Sequence, residues 1–112
     1  MNGWIDMRFC KKLYVSDDLK KKQDSIVKKI AKGKYPLNVY VLTLRKKPGS
    51  HMEFYPAAML YQSALRDDDL LVVGLATCYD DALYLIETIT EEALKKTNDI
   101  DLRSFILGQE EC

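Results

Sequence analysis

The side chains best placed for chemistry lie in the run Thr77-Cys78-Tyr79-Asp80-Asp81, between an apolar segment and a helical pattern. Backbone N–H groups at a strand-to-helix junction favour an anion, whether a bound phosphate or a reactive thiolate. The acidic Asp80 and Asp81 oppose both, and helix capping accounts for them. A thiol-dependent enzyme or redox protein acting through Cys78 is therefore an alternative interpretation and not the one we favour.

Two other groups resemble sites only in composition. His51 is the single histidine, and a general base needs a partner that converges from another segment, so we interpret it as a solvated loop residue. Asp67, Asp68 and Asp69 are adjacent, whereas a calcium loop spreads its ligands over about twelve residues. We predict a solvated turn there. The sequence thus predicts no metal site, no cofactor and no catalytic activity.

Charge divides the chain in two. Residues 1–50 carry 13 Lys/Arg and 4 Asp/Glu, whereas residues 51–112 carry 4 Lys/Arg and 13 Asp/Glu. Lys21, Lys28 and Lys32 lie on one side of a predicted helix, which makes a polyanion-binding face for nucleic acid an alternative function. A pI near 6.6 and the lack of arginine or aromatic residues on that face argue against it. We expect instead that these lysines pair with acidic residues, on the second helix or on a neighbouring chain, at Glu87, Glu91 or Glu92.

Size and composition are those of one small domain. The chain has 112 residues, of which 47% are hydrophobic, and we predict a single α+β domain over residues 1–107 and a flexible tail over residues 108–112. The three cysteines are an odd number without a Cys-x-x-Cys pair, which favours the cytoplasm over secretion. No apolar run approaches the length of about 20 residues that a membrane helix needs.

Hydrophobic periodicity predicts the elements. Alternation up to Val15 predicts a strand, and Ser16 then caps a helix over 17–32. The remaining predictions are a strand Leu37–Arg45, an edge strand over 53–62 broken by Pro56, an inner strand Leu70–Thr77, a helix from the cap Asp80 to Lys96, and a short closing strand over 100–106. A short helix opening at Pro56 is the alternative for the third strand.

The resulting order β-α-β-β-β-α-β predicts a two-layer α+β fold with a mixed sheet and two helices. Several strands are apolar on both sides, but two helices packed on one face would leave the other bare. Large bare apolar faces are rare in soluble monomers. We therefore predict a homodimer joined through that face, whose residues include Tyr40, Leu42, Leu44 and Tyr61. The alternative is a monomer with one helix on each face of the sheet.

The runs Leu70–Ala76, Tyr79–Leu83 and Asp99–Arg103 together resemble a pattern in small uncharacterised bacterial α+β proteins. The resemblance implies no activity, cofactor or catalytic residue. The sequence-based expectation is therefore a non-catalytic, cytoplasmic protein-interaction or self-associating module, without binding to membranes or nucleic acid.

Overall fold

The computed structural model describes residues 8–45, 51–62 and 70–110. Four strands and three α-helices make up this part of the chain, together with two short 3-10 helices at Asp17–Lys22 and Ala57–Tyr61. In chain order the elements are β1 (Arg8–Val15), α1 (Gln23–Ala31), β2 (Tyr40–Arg45), β3 (Glu53–Pro56), β4 (Leu70–Ala76), α2 (Tyr79–Thr97) and α3 (Leu102–Glu110).

The strands form one mixed sheet in the order β1-β4-β2-β3, which confirms the predicted α+β class. β1 and β4 are parallel, while β2 is antiparallel to both β4 and β3. The fully buried β4 is an inner strand, as its continuous apolar run predicts. The short β3 is an edge strand that ends at Pro56, where the missing N–H is tolerated.

A bulge in β4 changes which of its residues face each side of the sheet. Leu42 pairs with Gly74 and Thr43 with Val72, so one residue of β4 is inserted between two steps of β2. Gly74 is required there because a Cβ atom would lie 2.7 Å from the main-chain oxygen of Tyr14. The insertion shifts the alternation of side chains along the strand.

We call the side of the sheet under α1 the first face. Its buried cluster joins Leu19, Ile26 and Ile30 to strand and loop residues, which include Val41, Val72 and Leu75. The predicted stripe of the first helix is therefore confirmed as its buried side. Ala57 and Leu60 of the second 3-10 helix complete this cluster.

The opposite side, the second face, is covered by α2 and α3. Ala82, Leu85, Ile89 and Ala93 of α2 pack with Phe105 and Ile106 of α3 over strand residues that include Leu71 and Val73. The sheet is therefore covered on both faces, and the predicted two layers with one bare face are wrong. The three layers arise because the chain after β1 crosses one face and the chain after β4 crosses the other.

The predicted helix over 17–32 is two elements, since its first six residues form a 3-10 helix and α1 begins at Gln23. Ser16 occupies the capping position, but its side chain makes no capping bond because its hydroxyl lies 3.0 Å from that of Thr77. Gly33 follows α1 with a φ of 82°, as a helix-terminating glycine does.

Three predicted boundaries also move. β2 begins at Tyr40 rather than Leu37, whose side chain is 82% exposed. The segment over 53–62 contains both alternatives, a strand up to Pro56 and then a 3-10 helix. Cys78, and not Asp80, stands at the cap of α2.

The predicted closing strand over 100–106 is wrong, because this segment enters α3. Asp101 accepts hydrogen bonds from the main-chain N–H and the hydroxyl of Ser104, which fixes the start of a helix. The apolar residues Leu102, Phe105 and Ile106 then recur at helical spacing. α3 continues to Glu110, into the segment predicted as a flexible tail.

Candidate functional site

An open cleft of about 590 Å³ lies where α2, the start of α3 and the start of β3 meet. Its apolar lining consists of Met52, Ile86, Ile100 and Leu102, and its polar lining of His51, Asp101 and Arg103. The side chain of Ile100 is 66% exposed at the rim. A cleft of this size with few polar groups is the usual form of a binding site.

The carboxylate in this cleft already has a structural task. Both oxygens of Asp101 accept hydrogen bonds from Ser104, at 3.2 Å from its main-chain nitrogen and 2.7 Å from its hydroxyl. These bonds, the hydroxyl first, lower the pKa of Asp101. A carboxylate held ionised in a helix cap is a weak proton acceptor, and its two bonds to Ser104 orient the start of α3.

Apolar side chains continue from the cleft along α2 and β3. Tyr79, Leu83 and Ile86 recur at helical spacing, and the Tyr79 ring lies 5.2 Å from that of Phe54 between centroids. Met52 and Phe54 are partly buried against the core of the second face, as is Ile86. We call these residues, with Ile100, the apolar band: Met52, Phe54, Tyr79, Leu83, Ile86 and Ile100.

A second cleft, of about 300 Å³, lies where the parallel strands β1 and β4 end and their chains diverge to opposite faces. Asp17, Asp18 and Asp81 line it together with Tyr84. Such divergence points commonly bind ligands in α/β sheets. Among residues 8–45, 51–62 and 70–110, however, no group of three or more His, Cys, Asp or Glu side chains is placed to hold a metal ion.

Polar side chains link β1, α2 and α3 on the second face, and we call them the polar clasp: Lys12, Tyr14, Glu92 and Gln109. Oε1 of Glu92 accepts bonds from the Tyr14 hydroxyl at 2.7 Å and from Nζ of Lys12 at 2.9 Å. Nε2 of Gln109 donates to the Tyr14 hydroxyl at 3.3 Å. This side-chain network is not evident from the sequence, because members that bond directly to each other are up to 95 residues apart.

The clasp shifts three pKa values. Burial raises the pKa of Glu92, but the bonds from Tyr14 and Lys12 outweigh it and the net pKa is lowered. The bond to Glu92 raises the pKa of Lys12, while burial and then the bond to Glu92 raise that of Tyr14. All three shifts favour the charge states in which the clasp forms.

The four residues predicted to form a dimer face do not share an accessible surface. Leu42 and Leu44 are 0% and 1% exposed beneath α2 and α3, and Tyr40 is partly buried beside them. Tyr61 belongs to the other side, where its ring meets Tyr35 edge-on at 4.7 Å and its hydroxyl accepts a bond from the Tyr35 main chain. The prediction of this dimer face is therefore corrected, because α2 and α3 of the same chain cover Leu42 and Leu44.

The three lysines of the predicted polyanion face, Lys21, Lys28 and Lys32, are all exposed to solvent. Their expected pairing with α2 inside one chain is wrong, because the sheet separates α1 from α2. Glu92 is instead engaged by Lys12 and Tyr14.

The remaining sequence candidates are separate from one another. Cys78 is exposed at the start of α2, and His51 is an exposed wall of the larger cleft. Asp67, Asp68 and Asp69 lie outside the described residues. None of the helices within the described ranges is both long and apolar enough to cross a membrane.

The larger cleft depends on Ile100, Asp101 and Leu102, which the sequence interpretation placed in a strand. The spacing of Asp101 and Ser104, which is typical of a helix start, is the signal that identifies them. No family model, curated protein or solved structure matches this chain.

Proposed function

We propose that this protein is a non-catalytic protein-interaction module that binds a segment of a partner protein along the apolar band. The observation that carries the proposal is the continuity of half-exposed apolar side chains from Tyr79 to the cleft at Ile100. Tyr79 and Ile100 are 55% and 66% exposed, and contiguous exposed apolar surface marks interaction sites.

The dimensions and charges of the band favour a polypeptide. Tyr79 and Ile86 are seven residues apart on α2, a distance of about 10 Å, and the cleft adds to this length. The exposed carboxylates of Asp80 and Asp99 adjoin Tyr79 and Ile100, at the two ends of the band. The occupant is therefore a segment with apolar side chains between basic residues.

The proposed role without catalysis is supported by the carboxylate of Asp101, which is committed to its helix cap. A cytoplasmic location is part of the proposal and rests on the odd number of cysteines.

The test is selection from a random-peptide display library on the wild-type protein, followed by calorimetric titration of a selected peptide. We expect selected sequences that combine apolar residues with Lys or Arg. The substitution Ile100→Asp should raise the Kd about tenfold or more, which is the loss expected for one anchoring side chain.

Leu37→Asp is the matched control, because Leu37 is 82% exposed outside the band, and it should leave the Kd unchanged. Failure to enrich any peptide, or equal affinity for the wild type and Ile100→Asp, would contradict the proposed function.

A further inference from the structure

The two outer helical layers carry opposite charge. Residues 17–34, which include α1, hold seven lysines and three aspartates, whereas α2 holds five acidic residues and two lysines. Because these layers cover opposite faces of the sheet, the charges cannot neutralise each other within one chain. The molecule therefore has one basic and one acidic outer surface.

The most outward residues of both helices match in spacing. Lys28 of α1 and Lys32, the residue that caps its C-terminal end, are two residues beyond the buried Ile26 and Ile30, on the far side of α1 from the core. Glu87 and Glu91 likewise follow the buried Leu85 and Ile89 of α2 by two residues. All four are exposed, and each pair is four residues apart, about 6 Å along its helix.

The match extends one step towards the N-terminus of each helix. Lys21 precedes Lys28 by seven residues, and Asp80 precedes Glu87 by seven residues. Both are exposed. Lys21 lies in the 3-10 helix before α1, so its rise along the axis differs, and the i,i+4 pairs determine the register.

We propose that the basic surface of one copy binds the acidic surface of a second copy, with Lys28 and Lys32 facing Glu87 and Glu91. The interface is head-to-tail, since each copy presents a donor surface and a different acceptor surface. Such contacts extend into a chain of copies or close into a ring. Because the pairing groups are exposed, association is weak and is lost when salt screens the charges.

A nucleic acid is the competing partner for the lysine surface. The second copy is favoured because this chain itself carries an acidic surface of matching spacing. The lysine surface also lacks the arginine and aromatic residues that recognise or stack on bases.

The test is sedimentation velocity on two charge-reversal variants, K28E/K32E and E87K/E91K. We expect the wild-type sedimentation coefficient to rise with concentration at low salt and to fall to that of a monomer in about 1 M salt, where the Debye length is about 3 Å. Each variant alone should remain monomeric. An equimolar mixture should associate again, because one variant has glutamate at both pairs of positions and the other has lysine at both.

The control E53K/D99K changes the net charge by the same amount as E87K/E91K. Its two positions are exposed but do not belong to the outer surface of α2, so this variant should associate like the wild type. A wild type that stays monomeric at low salt would overturn the proposal. A dimer unaffected by either reversal, or a mixture that stays monomeric, would do the same. Titration with a labelled DNA duplex tests the competing partner. If the wild type binds DNA without self-associating, and K28E/K32E loses that binding, the lysine surface is assigned to nucleic acid and the proposal is overturned.

Discussion

The two faces of the sheet are closed by different means. On the first face, α1 and two 3-10 helices cover a cluster that is almost wholly apolar, and the outer surface is rich in lysine. On the second face, α2 and α3 cover a comparable apolar cluster, but the polar clasp ties both helices to β1. The apolar band and the larger cleft also lie beside α2.

This difference shows that burial alone does not assign function. Both faces supply buried apolar area that stabilises the fold, whereas the polar clasp, the apolar band and the larger cleft all lie on the second face. A comparison of substitutions on the two faces therefore separates what the fold needs from what the surface does.

The largest expected effect is that of Gly74→Ala, which adds a Cβ atom 2.7 Å from the main-chain oxygen of Tyr14. Because both atoms belong to paired strands, β1 must shift, and the clasp residue Tyr14 shifts with it. We expect the free energy of unfolding to fall by about 1–3 kcal/mol, measured by urea denaturation.

Gly108→Ala is the matched control. It lies in α3 with nothing within 4 Å of the added Cβ atom, and alanine should stabilise the helix there by about 0.5–1 kcal/mol. A Gly74→Ala protein as stable as the wild type would show that β1 can move away from β4 at little cost.

The second effect is a pH dependence that arises in the clasp. The folded state lowers the pKa of Glu92, so its stabilising contribution is present above the unfolded value of about 4.3 and is lost as the pH falls through the lower folded value. Glu92→Gln should therefore lower the free energy of unfolding by about 1.5 kcal/mol at neutral pH. This difference in the free energy of unfolding between Glu92→Gln and the wild type should decrease towards zero as the pH falls.

The neighbouring Glu91→Gln controls for the loss of one charge, since Glu91 is exposed on the outer side of α2. Its difference from the wild type should stay small at every pH, as unfolding curves between neutral and acid pH will show. If the difference in stability between Glu92→Gln and the wild type does not decrease in acid, the ion pair between Lys12 and Glu92 does not form in solution.

Local patterns predicted most of the elements but not how they come together. The continuous run Leu70–Ala76 is sufficient to predict an inner strand, and the stripe of Leu19, Ile26 and Ile30 predicts the buried side of the first helix. The predicted closing strand is wrong because Ile100, Leu102 and Ile106 share the even spacing of a strand, whereas Asp101 caps a helix there.

Other features depend on partners distant in sequence. Ser16 has the residue type of a helix cap, but Thr77, which follows the adjacent strand β4, engages its hydroxyl. The assignment of each helix to a face depends on β1 and β4 being neighbours, and nothing local in the sequence specifies that. The larger cleft needs both the face assignment and the third helix, so it was not predictable.

The smallest expected effect is the difference in coupling energy between two ion pairs, one near each face of the sheet. Lys12–Glu92 belongs to the clasp, with the Glu92 side chain 29% exposed, whereas Lys20–Asp17 lies in the first 3-10 helix with Asp17 92% exposed. Double-mutant cycles with alanine should give a coupling of about 0.5–1 kcal/mol for the first pair and about 0.2 kcal/mol or less for the second, because an exposed pair gains little over hydration. Added salt should reduce the second coupling to zero first, since water and ions reach both of its partners. Equal couplings would mean that the clasp is no more ordered than a surface pair, and the contrast between the faces would then rest on packing alone.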